Sequence, residues 1–204
     1  MSKQVPDTFN IGIIWGKLED VDGVSIEEEK WVKILLELGH EVYTFAGRYV
    51  APLPDIPQDH QITVEKIRFG SEKQLEYERK VFPYLQNNPP HLSPDKQQQL
   101  IEELEQDGTV VANELFSYIQ RYSIDVIIAQ NTNAMPMTLI GGMAVYKLAT
   151  WRRVATIFHH HDFWWERSRF SQNYIEQLLG RIMPPVDPGL EHVVLSSYAE
   201  HILR

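Results

Sequence analysis

The first forty-six residues constrain the fold more than any other stretch of the chain. Asn10-Ile11-Gly12-Ile13-Ile14-Trp15-Gly16 is a nearly continuous apolar run ending in glycine, the pattern of a strand buried on both faces. A loop, Lys17 to Val24, follows. Ser25 then offers a helix N-cap with Glu28 three residues on, which spells a capping box. Trp31, Ile34, Leu35 and Leu38 recur at helical spacing and give that helix one apolar face. Gly39 stands where a C′ glycine ends a helix, and Glu41-Val42-Tyr43-Thr44-Phe45-Ala46 reads as the next strand. Strand, helix, strand in this order is a βαβ unit, and it commits the chain to a parallel sheet with helices packed on it.

The remaining pattern repeats the alternation less regularly. Pro52, Pro54 and Pro57 mark an extended connection, after which Ile62 to Phe69 alternates like a strand. Lys73 to Leu85 reads as a helix, Asn87-Asn88-Pro89-Pro90 with Pro94 as a break, and Pro94 to Tyr122 as helical with Gly108 as the point where it could be interrupted. Asp125 to Ala129 is a buried strand ending at Gln130-Asn131-Thr132-Asn133, and Met135 to Ala149 is an apolar helix in which Gly141-Gly142 permits close packing. Val154 to Phe158 is a strand, Tyr174 to Met183 a helix, and His192 to Leu195 a last strand, with Ser196 or Ser197 capping a helix from Tyr198. The expectation is an α/β fold: one doubly wound, Rossmann-like parallel sheet with helices on both faces, formed by residues 1–204 as a single domain.

Bulk charge removes several functions. A formal net charge of −9 gives no basic field for a nucleic-acid backbone. The absence of cysteine excludes thiolate chemistry, disulfides and cysteine-ligated zinc. The start, Met1 to Asp7, lacks the apolar core of a signal peptide, and no apolar run is long enough to span a bilayer, so a cytoplasmic, non-membrane protein is expected.

The chemistry concentrates in Ile157-Phe158-His159-His160-His161-Asp162-Phe163-Trp164-Trp165-Glu166-Arg167. Loops that leave a strand are usually small and turn-forming, whereas this one carries three imidazoles, two carboxylates, a guanidinium and three aromatic rings. In an open α/β sheet it would lie outside the carboxyl end of a strand, where ligands bind. Alternation along a strand would set His159 and His161 on one side and His160 on the other. Two histidines fall short of the three protein ligands catalytic zinc usually takes, and His40, His60, His91, His192 and His201 show no partnering spacing, so no metal is expected. The better reading is polyol recognition by neutral imidazoles and Asp162, with Phe163, Trp164 and Trp165 offering aromatic faces, though any one of them is more often core than platform, and Glu166 and Arg167 pairing or orienting a histidine. Asn131 on the preceding strand's rim could read hydroxyls, while Asn133 suits a helix cap. Arg48, just after the second strand, could meet a phosphate or carboxylate, against the simpler reading of a solvated side chain. In the first loop, Gly16, Asp20, Asp22, Gly23 and Ser25 could bring backbone and helix N–H groups to a ligand. Gly16 and Gly23 do not form G-x-G-x-x-G, so nicotinamide binding is disfavoured and no cofactor is expected.

Three segments in order resemble the N-terminal domain of family 4 retaining glycosyltransferases of the GT-B fold. They are Asp22-Gly23-Val24-Ser25 leading into a helix that closes with Leu38-Gly39-His40-Glu41-Val42, the apolar strand ending in His161-Asp162, and His192-Val193-Val194-Leu195-Ser196-Ser197-Tyr198-Ala199. The resemblance is weakest from about Pro52 to Gly108. It implies two Rossmann-like domains facing across a cleft, with a small-molecule or sugar acceptor on the first and a sugar-nucleotide donor on the second. It also implies that His161 or His160 faces the donor sugar, that Asp162 fixes the loop, and that the Gly23 loop (Asp22, Gly23, Val24 and Ser25) borders donor phosphate and acceptor. The family's second domain has no counterpart in these residues, so the resemblance implies an N-terminal half that is inactive alone. The competing readings are a stand-alone binding or regulatory module on the same scaffold and a metal-dependent hydrolase built on His159 to His161.

Overall fold

The computed structural model describes residues 8–16, 23–83 and 91–203. Six strands, β1 (Asn10–Trp15), β2 (Glu41–Ala46), β3 (Gln61–Thr63), β4 (Val126–Gln130), β5 (Thr156–His160) and β6 (Glu191–Val194), form one sheet. Their order is β3-β2-β1-β4-β5-β6 and every neighbouring pair is parallel. The order reverses between β1 and β4, the position at which doubly wound sheets open a crevice at their carboxyl ends. This is the expected α/β, Rossmann-like fold.

Two cores flank the sheet, because consecutive strand residues point to opposite faces. Ile11, Ile13 and Trp15 of β1 and Ile128 of β4 pack with Val32 and Leu35 of α1 (Gly23–Glu37). Ile14, Ile127, Ala129 and Phe158 face the larger core. That side is covered by α2 (Glu72–Val81), α3 (Pro94–Arg121), α4 (Leu139–Thr150) and α5 (Glu176–Ile182). The last helix is α6 (Ser197–Leu203), where the Ala199 N–H donates to Ser196 Oγ at 3.2 Å. Among the described residues no helix is long and apolar enough to cross a membrane.

Several boundaries differ from the sequence reading, each for a local reason. The strand expected over Ile62 to Phe69 lasts only through Thr63. Val64 and Ile67 are both buried, and their three-residue spacing is served by a 3-10 turn over Glu65–Ile67. Gly108 does not interrupt α3, which runs unbroken for 28 residues with that glycine buried on its inner face. The helix expected from Met135 starts at Leu139. Thr138 caps it by accepting from the Gly141 N–H at 3.2 Å, and Asn133 instead donates to the buried carbonyls of Gly142 and Ile182, both at 2.8 Å. In α1, Ile34 and Leu38 face outward, and the buried stripe is Glu28, Val32 and Leu35. Gly39, at φ +85°, ends that helix as expected. The proline-rich break at Asn87 to Pro90 and the loop from Lys17 to Asp22 lie outside the described residues.

Candidate functional site

Strand β5 runs two residues further than the sequence pattern indicates, so His159 and His160 belong to the strand and only His161 starts the loop. The pleat separates them. His160 turns into the larger core, 1% exposed, where its Nε2 lies 2.9 Å from Nδ1 of His192 on β6. The two rings stack at 5.2 Å and Phe163 closes the third side at 5.3 Å. Burial pushes the His160 pKa down to about 3, and burial likewise lowers that of His192. Two neutral imidazoles therefore share one proton between adjacent strands, which makes His160 a buried strut.

His159 and His161 lie together on the other face, ring centroids 4.8 Å apart, and Trp31 of α1 covers His159 at 5.2 Å. Burial first, and the neighbouring His161 second, push the His159 pKa down to about 4. Glu28 comes to the same place from the second turn of α1. It is 1% exposed, neither carboxylate oxygen has a hydrogen-bond partner, and burial raises its pKa well above the usual carboxylate range. One donor atom from each of Glu28, His159 and His161 lies within 4.8 Å of the other two. Gln130 stands beside His159 in the sheet register, on this same face, with both amide atoms buried and unpartnered. Trp15 Nε1, also on this face, has no partner either. The capping box expected from Ser25 and Glu28 is absent: α1 begins at Gly23, which moves Ser25 into the first turn and buries Glu28 against the sheet.

A third cluster forms the open rim. Asn131 adopts φ +50°, a left-handed conformation that asparagine tolerates better than most residues. There its Oδ1 accepts from the His161 N–H at 3.0 Å and its Nδ2 donates to Asp162 Oδ1 at 3.3 Å. Arg167 holds the other Asp162 oxygen through Nε at 3.1 Å and Nη2 at 2.5 Å. Glu166 pairs with neither Arg167 nor a histidine; its Oε2 accepts from the Phe163 N–H at 2.7 Å. Trp164 belongs to the core, its Nε1 donating to the Met183 carbonyl at 2.8 Å, while Trp165 is 38% exposed and stacks on Phe163. These groups border a cavity of about 680 Å³ lined by Asn131, Met135, Met137, Asp162, Arg167 and Arg169, among others.

The first loop contributes less than its residues promised. Asp20 and Asp22 lie outside the described residues, and Gly23 and Val24 open α1. Ser25 is buried in the first turn. The space beside Gly16 is filled by the Phe69 ring, whose backbone N–H also donates to the Gly16 carbonyl at 3.2 Å, so this glycine admits the protein's own aromatic side chain. Arg48 is exposed after β2 and does not line the cavity.

Three participants escaped the sequence reading. Arg169 stands two residues beyond the motif, and His192 meets His160 only through strand pairing. Glu28 left a legible signal: at i, i+4, i+7 with Val32 and Leu35, it is a carboxylate inside an apolar stripe.

No family model matches the chain. Among curated proteins it is similar to the mannosylglucosylglycerate synthase of Thermotoga maritima, 27% identical over 186 residues that make up 90% of this chain and 39% of that protein. It is similar also to the mannosylglucosylglycerate synthase of Petrotoga mobilis, 25% identical over 199 residues, 96% of this chain and 42% of that protein. Both relatives are glycosyltransferases, and this chain spans about two fifths of their length.

Proposed function

We propose that this chain is the acceptor-side half of a retaining, GT-B-type glycosyltransferase that moves a hexose from a sugar nucleotide to a small hydroxylated acceptor carrying a carboxylate. The observation that carries the reading is the cavity at the carboxyl ends of β4 and β5, with two guanidinium groups on a rim fixed by Asn131. Arg167 spends its charge on Asp162. Arg169 lies over the Phe170 ring with Nη2 2.9 Å from the Met137 sulfur, which suits it to receive a carboxylate from the substrate. The similar proteins are named for a product that ends in glycerate, which is such an anion.

Within this reading His161 faces the donor sugar, since His160 is committed to His192 behind the strand. Asn131 and Asp162 are positioning residues that set the His161 backbone. A second Rossmann-like domain supplies the sugar nucleotide, and its departing diphosphate, stabilised electrostatically, drives transfer without a side-chain nucleophile from this half. No cofactor enters the reaction, and this half does not turn over alone.

Ligand-observed NMR with glucosylglycerate tests the acceptor assignment. We expect weak binding that needs the carboxylate and falls about ten- to a hundredfold in Arg169→Ala, the loss of one charge-assisted hydrogen bond. Binding indifferent to Arg169→Ala and to esterification of the carboxylate would remove the assignment. Adding a separately produced donor domain should restore sugar transfer, and no transfer under saturating donor would count against the transferase reading itself.

A further inference from the structure

We propose that Glu28, His159 and His161 form a binding site for one divalent transition-metal cation of the zinc class. The inference goes beyond the sugar-transfer reading and stands without it. Its basis is proximity: three side chains, one from α1, one from the end of β5 and one from the first loop residue after it, place one donor atom each within 4.8 Å of the other two. In a tetrahedral zinc site with bonds of about 2.0–2.1 Å the donor atoms stand roughly 3.3 Å apart. Small side-chain rotations close that difference.

The donor chemistry selects the ion. Two imidazoles and one carboxylate are a ligand set of zinc enzymes, and three protein ligands leave a fourth coordination position open. Imidazole suits zinc, copper, iron and nickel, whereas magnesium and calcium favour oxygen shells. Glu28 supplies the independent argument. A carboxyl group 1% exposed on an apolar helix stripe, with neither oxygen hydrogen-bonded, is costly to keep as a carboxylate unless a cation faces it. A bound divalent ion reverses the effect of burial on Glu28 by favouring its ionised form. Gln130, adjacent to His159 in the register and carrying an unpartnered amide, is placed to orient the ligands from behind.

Such an ion would cross-link the first helix to the strand that carries the histidine motif. Coordination through one nitrogen of His161 would fix the tautomer of that ring.

The test uses the full chain made without a histidine tag and loaded with Co²⁺ as a spectroscopic stand-in. We expect one equivalent per chain, the visible absorption of a low-symmetry tetrahedral or five-coordinate site, and displacement by Zn²⁺. Glu28→Gln, nearly isosteric and uncharged, should remove the bound equivalent while the circular dichroism and melting cooperativity of the fold persist. His159→Ala should do the same, and His192→Ala should not. Absence of Co²⁺ absorption together with absence of zinc after dialysis would overturn the proposal, as would a stoichiometric ion that survives Glu28→Gln and disappears in His192→Ala. Retention of the ion in folded His192→Ala with loss in folded Glu28→Gln would establish the three ligands.

Discussion

At the scale of single residues, polar side chains at the carboxyl edge act mainly on one another. Asn131 is the clearest case, since one amide in a left-handed backbone holds both the His161 N–H and the Asp162 carboxylate. Asn131→Ala removes both bonds and leaves the strained backbone without the residue type that tolerates it. Denaturant unfolding should show a loss of about 1–3 kcal/mol, and an unchanged midpoint would mean that the clamp is idle. The sequence singled out these residues as candidates without assigning their partners. Alternation alone separated His160 from His159 and His161, because pleating is local. That His160 meets His192, and that Glu28 meets the other two, depends on which strand pairs with which and how α1 docks. No spacing within the motif encodes either.

At the scale of elements, connections between helices rest on a few buried polar bridges. Gln74 of α2 accepts from the Leu139 N–H at 2.8 Å and donates to the Pro136 carbonyl at 3.1 Å, which ties α2 to the start of α4. Its Nε2 also donates to Glu78 at 3.0 Å. Burial raises the Glu78 pKa despite that bond and despite the charge of the nearby Arg169. With the folded pKa above the unfolded value of about 4.3, the favourable contribution is present below that value and is lost as pH rises through the folded pKa. Glu78→Gln should therefore raise the melting temperature at neutral pH by an amount worth at most about 1 kcal/mol for this partly buried site, with the gain vanishing near pH 4. A gain that persisted unchanged at pH 4 would show that the carboxyl's ionisation is not the cause. Element types and order were legible from hydrophobic period and punctuation. The ends were not: the 3-10 turn at Ile67 and the late start of α4 follow from tertiary contacts that override local pattern.

At the scale of the whole molecule, apolar surface is unevenly covered. Val186, Leu195, Tyr198 and Ile202 around β6 and α6 are 76%, 57%, 69% and 41% exposed, and α6 has no buried residue. Light scattering should find concentration-dependent self-association that weakens in the double variant Tyr198→Ser with Ile202→Ser. A strictly monomeric chain at high concentration would show that this face is tolerated bare. The sheet order has a kinetic consequence as well. Strands β1 to β3 assemble from neighbouring sequence, as do β4 to β6. The seam between β1 and β4, by contrast, joins residues such as Asn10 and Asp125 that lie 115 positions apart. Closing so long a stretch forfeits chain entropy before the contact repays it. The two halves of the sheet should thus acquire order separately and zip together late, so the crevice above that seam is among the last features of the native state to exist.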